Sequence, residues 1–195
     1  MKTGTKVLIA IAVVIIIIAG SIISGYNGLV SRSEKVNTAS SQIDNQLQRR
    51  NDLIPNLVAT VKQYSQHETE IINKITEARA KLAGANTMPE IAEADNELNI
   101  AVNNAIGRLL ALAEDNPEIK ANQSFIILQD ELAGTENRIA TARRGYNEAA
   151  RDYNTRIRRF PTNILAGMFD FEKVDYFEAS EGSKQNPNLN DLFDN

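Results

Sequence analysis

Residues 7–31 carry no charged side chain, and Val7–Ala19 (VLIAIAVVIIIIA) is apolar without interruption. Continued through Gly25 the run has 19 residues, which span about 28 Å as an α-helix. A bilayer core is about 30 Å thick, and a segment inside it must satisfy its own backbone hydrogen bonds. The run therefore predicts one transmembrane helix over about residues 7–25. The rival reading is a cleaved secretory signal with Lys2 and Lys6 as its basic start. Against that rival, no A-x-A-like site closes the run, and the stretch exceeds the usual core of roughly 7–15 residues. Lys2 and Lys6 flank one end, Arg32 and Lys35 the other. The positive-inside rule then expects a single-pass protein with a cytoplasmic N-terminus and an external body.

Over the whole chain the composition is that of an ordinary globular protein. The chain of 195 residues is 43% hydrophobic and 24% charged, with a net charge of −4, so one domain plus attachments is expected. There is no Cys, which removes disulfides, thiolate metal sites and cysteine nucleophiles together. An acidic balance argues against nucleic acid as a partner.

Apolar residues beyond the span recur at alternating three- and four-residue steps, the period of packed helices. The first segment, about Asn27–Arg50, carries Leu29, Val36, Ala39, Ile43 and Leu47 on one stripe. A second is expected to start at Asn51-Asp52 with Pro55 in its first turn, the alternative being one helix kinked at Pro55. Its stripe runs Ile54, Leu57, Val61, Tyr64, Glu68, Ile71, Ile75, Ala78 and Leu82, and Gly84 is placed to stop it. Thr87-Met88-Pro89-Glu90 has capping-box spacing and opens a third stripe from Ile91 to Leu112. Asn116-Pro117 restarts the chain for a fourth segment, with Phe125, Leu128, Leu132, Thr135, Ile139, Ala142, Tyr146, Ala149, Tyr153, Ile157 and Phe160 in step. Short connections make sequential helices antiparallel. The expected fold is all-α: an N-terminal tail and anchor over 1–25, an antiparallel four-helix bundle with long helices over 26–160, and a short apolar segment with an acidic tail over 161–195.

Chemistry is scarce. His67 is the only histidine and sits in His67-Glu68-Thr69-Glu70, which is neither H-E-x-x-H nor half of a di-iron bundle site. No nucleophile elbow, phosphate loop or dinucleotide fingerprint is present. The carboxylate pairs Glu114-Asp115 and Asp130-Glu131 are adjacent in sequence and so diverge on a helix. No cofactor, metal or catalytic group is expected. Seven arginines fall between Arg138 and Arg159, read as a solvated face or as a docking stripe for acidic chain. Glu136 and Arg138 bracket the fourth apolar stripe near Thr135, where polar groups can fix helix register. In the span, Gly20 and Ser24 have the small-xxx-small spacing that lets helices approach in lipid.

The segments Tyr26-Asn27-Gly28-Leu29-Val30, Ser41–Val58 (SQIDNQLQRRNDLIPNLV), Thr135–Ala140 (TENRIA) with Ala142-Arg143-Arg144 and Tyr146-Asn147, and Phe160–Gly167 (FPTNILAG) resemble the LemA family, in the expected order over about residues 26–181. A departure is Ala39-Ser40, where members often carry Ala-Trp. The resemblance implies a single N-terminal span, a four-helix bundle and a place in the bacterial envelope, in one branch the magnetosome membrane. It supplies no reaction. It implies protein partners, a membrane protease system among them, besides the lipid bilayer; self-association is the further expectation. Candidate interaction and polar-register residues are Arg49, Arg50, Glu136, Arg138, Arg143 and Tyr146, and candidate span-packing residues are Gly20 and Ser24. Two functional classes are in play: a non-catalytic, membrane-anchored scaffold, and a ligand-binding or enzymatic bundle with an internal polar pocket around Glu136, Arg138, Arg143 and Tyr146.

Overall fold

A computed structural model describes residues 3–64, 69–120 and 122–178. His67, Glu68 and the acidic tail beyond residue 178 lie outside the described residues. Within them the chain is all-α: α1 (Thr3–Tyr64), α2 (Thr69–Gly84), α3 (Met88–Asp115), α4 (Pro117–Lys120), α5 (Gln123–Arg158) and α6 (Thr162–Met168), with no strand. The N-terminal part of α1 is long and apolar enough to cross a membrane, and its most apolar stretch is not buried against protein.

Two expected boundaries move. The chain does not restart at Asn51-Asp52; α1 runs through Pro55 without a break. An interior proline removes one backbone hydrogen bond and costs a helix about 3 kcal/mol. Ile54, Leu57 and Val61, one step before and two after Pro55, are each no more than 1% exposed. Burying three such side chains is worth about 1.5–3 kcal/mol each, which outweighs the proline. The Asn51 side chain, expected to cap, instead accepts from Arg79 Nε at 2.6 Å, joining α1 to α2.

The fourth segment also divides. Asn116 does not cap forwards: its side-chain amide donates to Leu112 O at 2.8 Å and closes the end of α3. After the single turn of α4, Asn122 starts the long helix, its side chain accepting from Ser124 N at 2.9 Å. At the other end Phe160 is 81% exposed, because α5 has stopped at Arg158. Gly84 is the last residue of α2, and no described glycine has a positive φ. The chain leaves through Asn86, whose side-chain amide donates to Gly84 O.

The Thr87 capping box forms as its spacing predicts, with Pro89 in the first turn. Glu90 Oε2 accepts from the backbone of Asn86 and Thr87 at 2.9 and 3.0 Å, while Thr87 accepts from Glu90 N.

The chain divides into two compact units. One comprises, among the described residues, those of 42–144 and 175–178. Its core draws Ile54, Leu57 and Val61 from α1, Ile75 and Ala78 from α2, Leu98, Ala101, Ala105 and Leu109 from α3, and Phe125, Leu128 and Leu132 from α5, with Ile119 of α4 closing one end. Each helix buries one stripe and leaves its other face to solvent, as an amphipathic helix must.

The other unit comprises Met1–Ser41 and Gly145–Val174. Leu29 and Val36 of α1 and Tyr146, Ala150, Tyr153 and Ile157 of α5 are buried in it. Arg32 Nε meets Asp152 Oδ2 at 3.0 Å. The fully buried Asn154 grips the outgoing chain through both amide atoms, donating to Val174 O at 2.8 Å and accepting from Val174 N at 3.0 Å. α6 ends with Asp170 at φ 54° and Phe171 N bonded back to Ala166 O at 2.9 Å. That left-handed position is one aspartate tolerates better than most residues.

Candidate functional site: a buried charge cluster

Asp95 lies on α3 in the unit of Gln42–Arg144, with no exposed surface. Neighbouring positions Ala92, Ala94 and Leu98 are buried too, so the helix face that covers them carries a carboxylate inward. An isolated carboxylate there would be prohibitively costly. Asp95 is paired with Arg50 of α1 and with Arg143 of α5. Arg50 is itself only 1% exposed, and its second terminal nitrogen lies 3.3 Å from Glu136 Oε2. Glu136 also accepts from Asn99 Nδ2 at 3.3 Å. Three long helices are thus joined through two arginines and two carboxylates.

Burial depresses the Arg50 guanidinium below its ordinary value, and Glu136 partly restores it. Burial, and then the charge of Arg50, lower Arg143 to about 10. Arg143 also lies over the Phe177 ring, 4.7 Å from its centroid, a favourable cation–π arrangement. The arginine-rich stretch therefore has one member drawn inward against Asp95 and an aromatic ring.

The other candidates are placed differently. Arg49 reaches Glu131 at 2.8 Å with both side chains about half exposed; the hydrogen bond from Arg49 holds the Glu131 carboxyl below its ordinary range. Pairs this exposed contribute little to stability. Arg138 donates to the buried Thr135 Oγ1 at 2.9 Å, within α5. Tyr146 is buried in the unit of Gly145–Val174. Gly20 has open space around it and Ser24 is exposed.

Beside the cluster is a groove of about 350 Å³ lined by Asn99, Asn103, Gln129, Asn137, Glu136 and Arg50, among others. Of the four residues expected around an internal pocket, only Glu136 lines it. Among the described residues no group of three or more His, Cys, Asp or Glu could hold a metal ion.

Among the described residues the chain is an all-helical protein with one apolar helix long enough to cross a membrane and a charge cluster centred on the buried Asp95. Residues 39–190 match the LemA family, and the chain belongs to it. It is 29% identical over 175 residues to the magnetosome protein MamQ 2 of Paramagnetospirillum magneticum, covering 78% of this chain and 64% of that protein. It is 26% identical over 174 residues to magnetosome protein MamQ of Magnetospirillum gryphiswaldense, again across 78% and 64% of the two chains. With protein LemA of Metamycoplasma hominis the identity is 29% over 158 residues, covering 80% and 69%. The chain thus spans less than two thirds of the length of the MamQ relatives.

Proposed function

We propose that this chain is a non-catalytic, single-pass protein of the bacterial inner membrane that works by holding other proteins, its N-terminus in the cytoplasm and its helical body outside. The observation that carries this reading is the buried pairing of Asp95 with Arg50 and Arg143. Asp95 is taken up by Arg50 and Arg143, and Glu136 by Arg50 and Asn99, so these groups are spent on joining helices. A reaction centre instead needs groups aimed at a substrate. The partners are proteins of the same membrane, a membrane protease system among them, with self-association through Gly20 and Ser24 as a second contact.

Cross-linking in intact cells, then purification of the full-length protein from membranes and mass spectrometry, tests the reading. It expects a few membrane proteins captured in stoichiometric amounts, with fewer captured by the destabilised Asp95→Asn variant. Capture of nothing above an unrelated single-span control would overturn it. Orientation is tested separately with Thr3→Cys and Asn137→Cys in a chain that has no native thiol. An impermeant maleimide added outside should label only the second.

A second reading, a ligand-binding body, is favoured by the carboxamide-lined groove alone. Four amides and one carboxylate offer both donors and acceptors in one concave site. Thermal-shift screening of small polar compounds against the parent and Asn103→Leu separates the two readings, because only a groove ligand gives a shift that Asn103→Leu abolishes.

A further inference from the structure

α6 is apolar on both of its faces. Thr162, Leu165 and Ala166 are buried against the unit of Met1–Ser41 and Gly145–Val174. On the other side Ile164 and Met168, one helical turn apart, are 54% and 67% exposed, with Phe160 at 81% just before the helix and Phe169 at 46% just after it. Four large apolar side chains in ten residues would be a liability in water.

Their place along α1 explains them. A Cβ added to Gly25 would stand 2.6 Å from Leu165 Cδ1, so α6 lies directly on the backbone at Gly25. The next residue, Tyr26, meets the Phe169 ring edge-on at 4.8 Å and the Phe171 ring at 5.8 Å. The last aliphatic residue of the apolar run is Ile23, only about 3 Å along the axis from Gly25. α6 is therefore held at the level where the span leaves the hydrocarbon. A tyrosine packed by two phenylalanines at that level has the composition of an interfacial aromatic belt. Arg158 and Arg159, exposed at the end of α5, supply cations beside it.

We propose that α6 is a membrane foot: a short in-plane helix whose Phe160, Ile164, Met168 and Phe169 side chains enter the lipid at the headgroup boundary beside the span. The proposal rests on the anchoring reading of α1. A small apolar element at that depth reaches about 5–10 Å into the interface. It holds the body down on the bilayer at a second point, which one span by itself cannot do.

The chain has no Trp, so a single introduced indole reports its own surroundings. Full-length Met168→Trp, Ile164→Trp, Ile15→Trp and Asn104→Trp are reconstituted into phosphatidylcholine vesicles with and without brominated acyl chains. Ile15→Trp reports the span and Asn104→Trp an exposed position on the body. The expected result is blue-shifted emission and at least about twofold stronger bromolipid quenching at positions 164 and 168 than at 104, below that at 15. Quenching at 15 with none at 164 and 168 overturns the foot and leaves the anchor. No quenching at 15 overturns the anchoring reading itself. Blue-shifted but unquenched emission at 164 and 168, with dimers on cross-linking, means a second copy covers α6, and this also overturns the foot.

Discussion

Replacing Asp95 by Asn keeps the side-chain shape and removes the charge that two inward-facing arginines share. Arg50 and Arg143 would then face each other around a neutral amide, with Arg50 only 1% exposed. Breaking a buried ion pair by removing one partner costs about 3–5 kcal/mol. Here Glu136 stays 3.3 Å from Arg50 and is about a third exposed, and Phe177 stays against Arg143. Both remnants argue for the lower end, about 3 kcal/mol. For a chain of this size that amounts to a fall in midpoint of about 6–12 °C. Circular dichroism melts of the full-length protein in detergent measure it. The triple variant Asp95→Leu, Arg50→Met, Arg143→Met removes every charge of the central pairing and should lie within about 2 kcal/mol of the parent, because an apolar replacement needs no desolvated ions. A midpoint for Asp95→Asn within about 1 °C of the parent would refute the cluster as a structural element. A triple variant no better than the single one would refute the account of its cost.

Ile139 has no exposed surface, so Ile139→Asp should cost several kcal/mol, roughly 3 or more, and threaten a domain of ordinary stability; an unchanged melt would contradict the register. Pro55→Ala restores an amide inside α1 that can bond back to the carbonyl of Asn51, and should raise stability by up to about 3 kcal/mol, read as a higher melting midpoint. Backbone hydrogen bonds from Asn86 and Thr87 hold the Glu90 carboxyl below its ordinary value of 4.5. Its contribution is therefore complete above that value and lost as pH falls through the lower, folded-state value. NMR titration of the Glu90 side chain should give a midpoint below 4.5, and in Glu90→Gln the acid-linked loss of the α3 N-terminus should disappear.

The helical class was legible because its signals are local. The three- and four-residue steps reported the buried faces, and the Thr87 to Glu90 spacing reported a cap that needs only four consecutive residues. Asn51 and Asn116 misled for the same reason. Each has the chemistry of a cap, yet one is engaged by Arg79 from another helix and the other turns back to Leu112. Asp95 was missed because nothing next to it in sequence answers its charge; its partners Arg50 and Arg143 stand on other helices, far off along the chain. One signal was available. Asp95, Leu98 and Val102 share heptad spacing and all three are buried, so a carboxylate on an apolar stripe asked for a cation elsewhere. Arg50 and Arg143 were singled out from motif resemblance, which marks positions without saying what they touch.

Within the unit that holds the span, α1 passes from Gly25 to Leu29 with no linker and no change of helix type. Each residue advances the azimuth by about 100°, so the rotational phase of the span is geared to that of the body. Gly20 precedes Leu29 by nine residues and falls on about the opposite side of the helix axis from the buried Leu29, while Gly25 precedes it by four and falls on nearly the same side. The face that meets α6 and the face carrying Gly20 are thereby set apart by the gearing. A single residue inserted between Tyr26 and Gly28 would swing the Gly20 face by about 100° relative to the body and move it only about 1.5 Å in depth. The direction in which the Gly20 face points is thereby set by where Leu29 is buried.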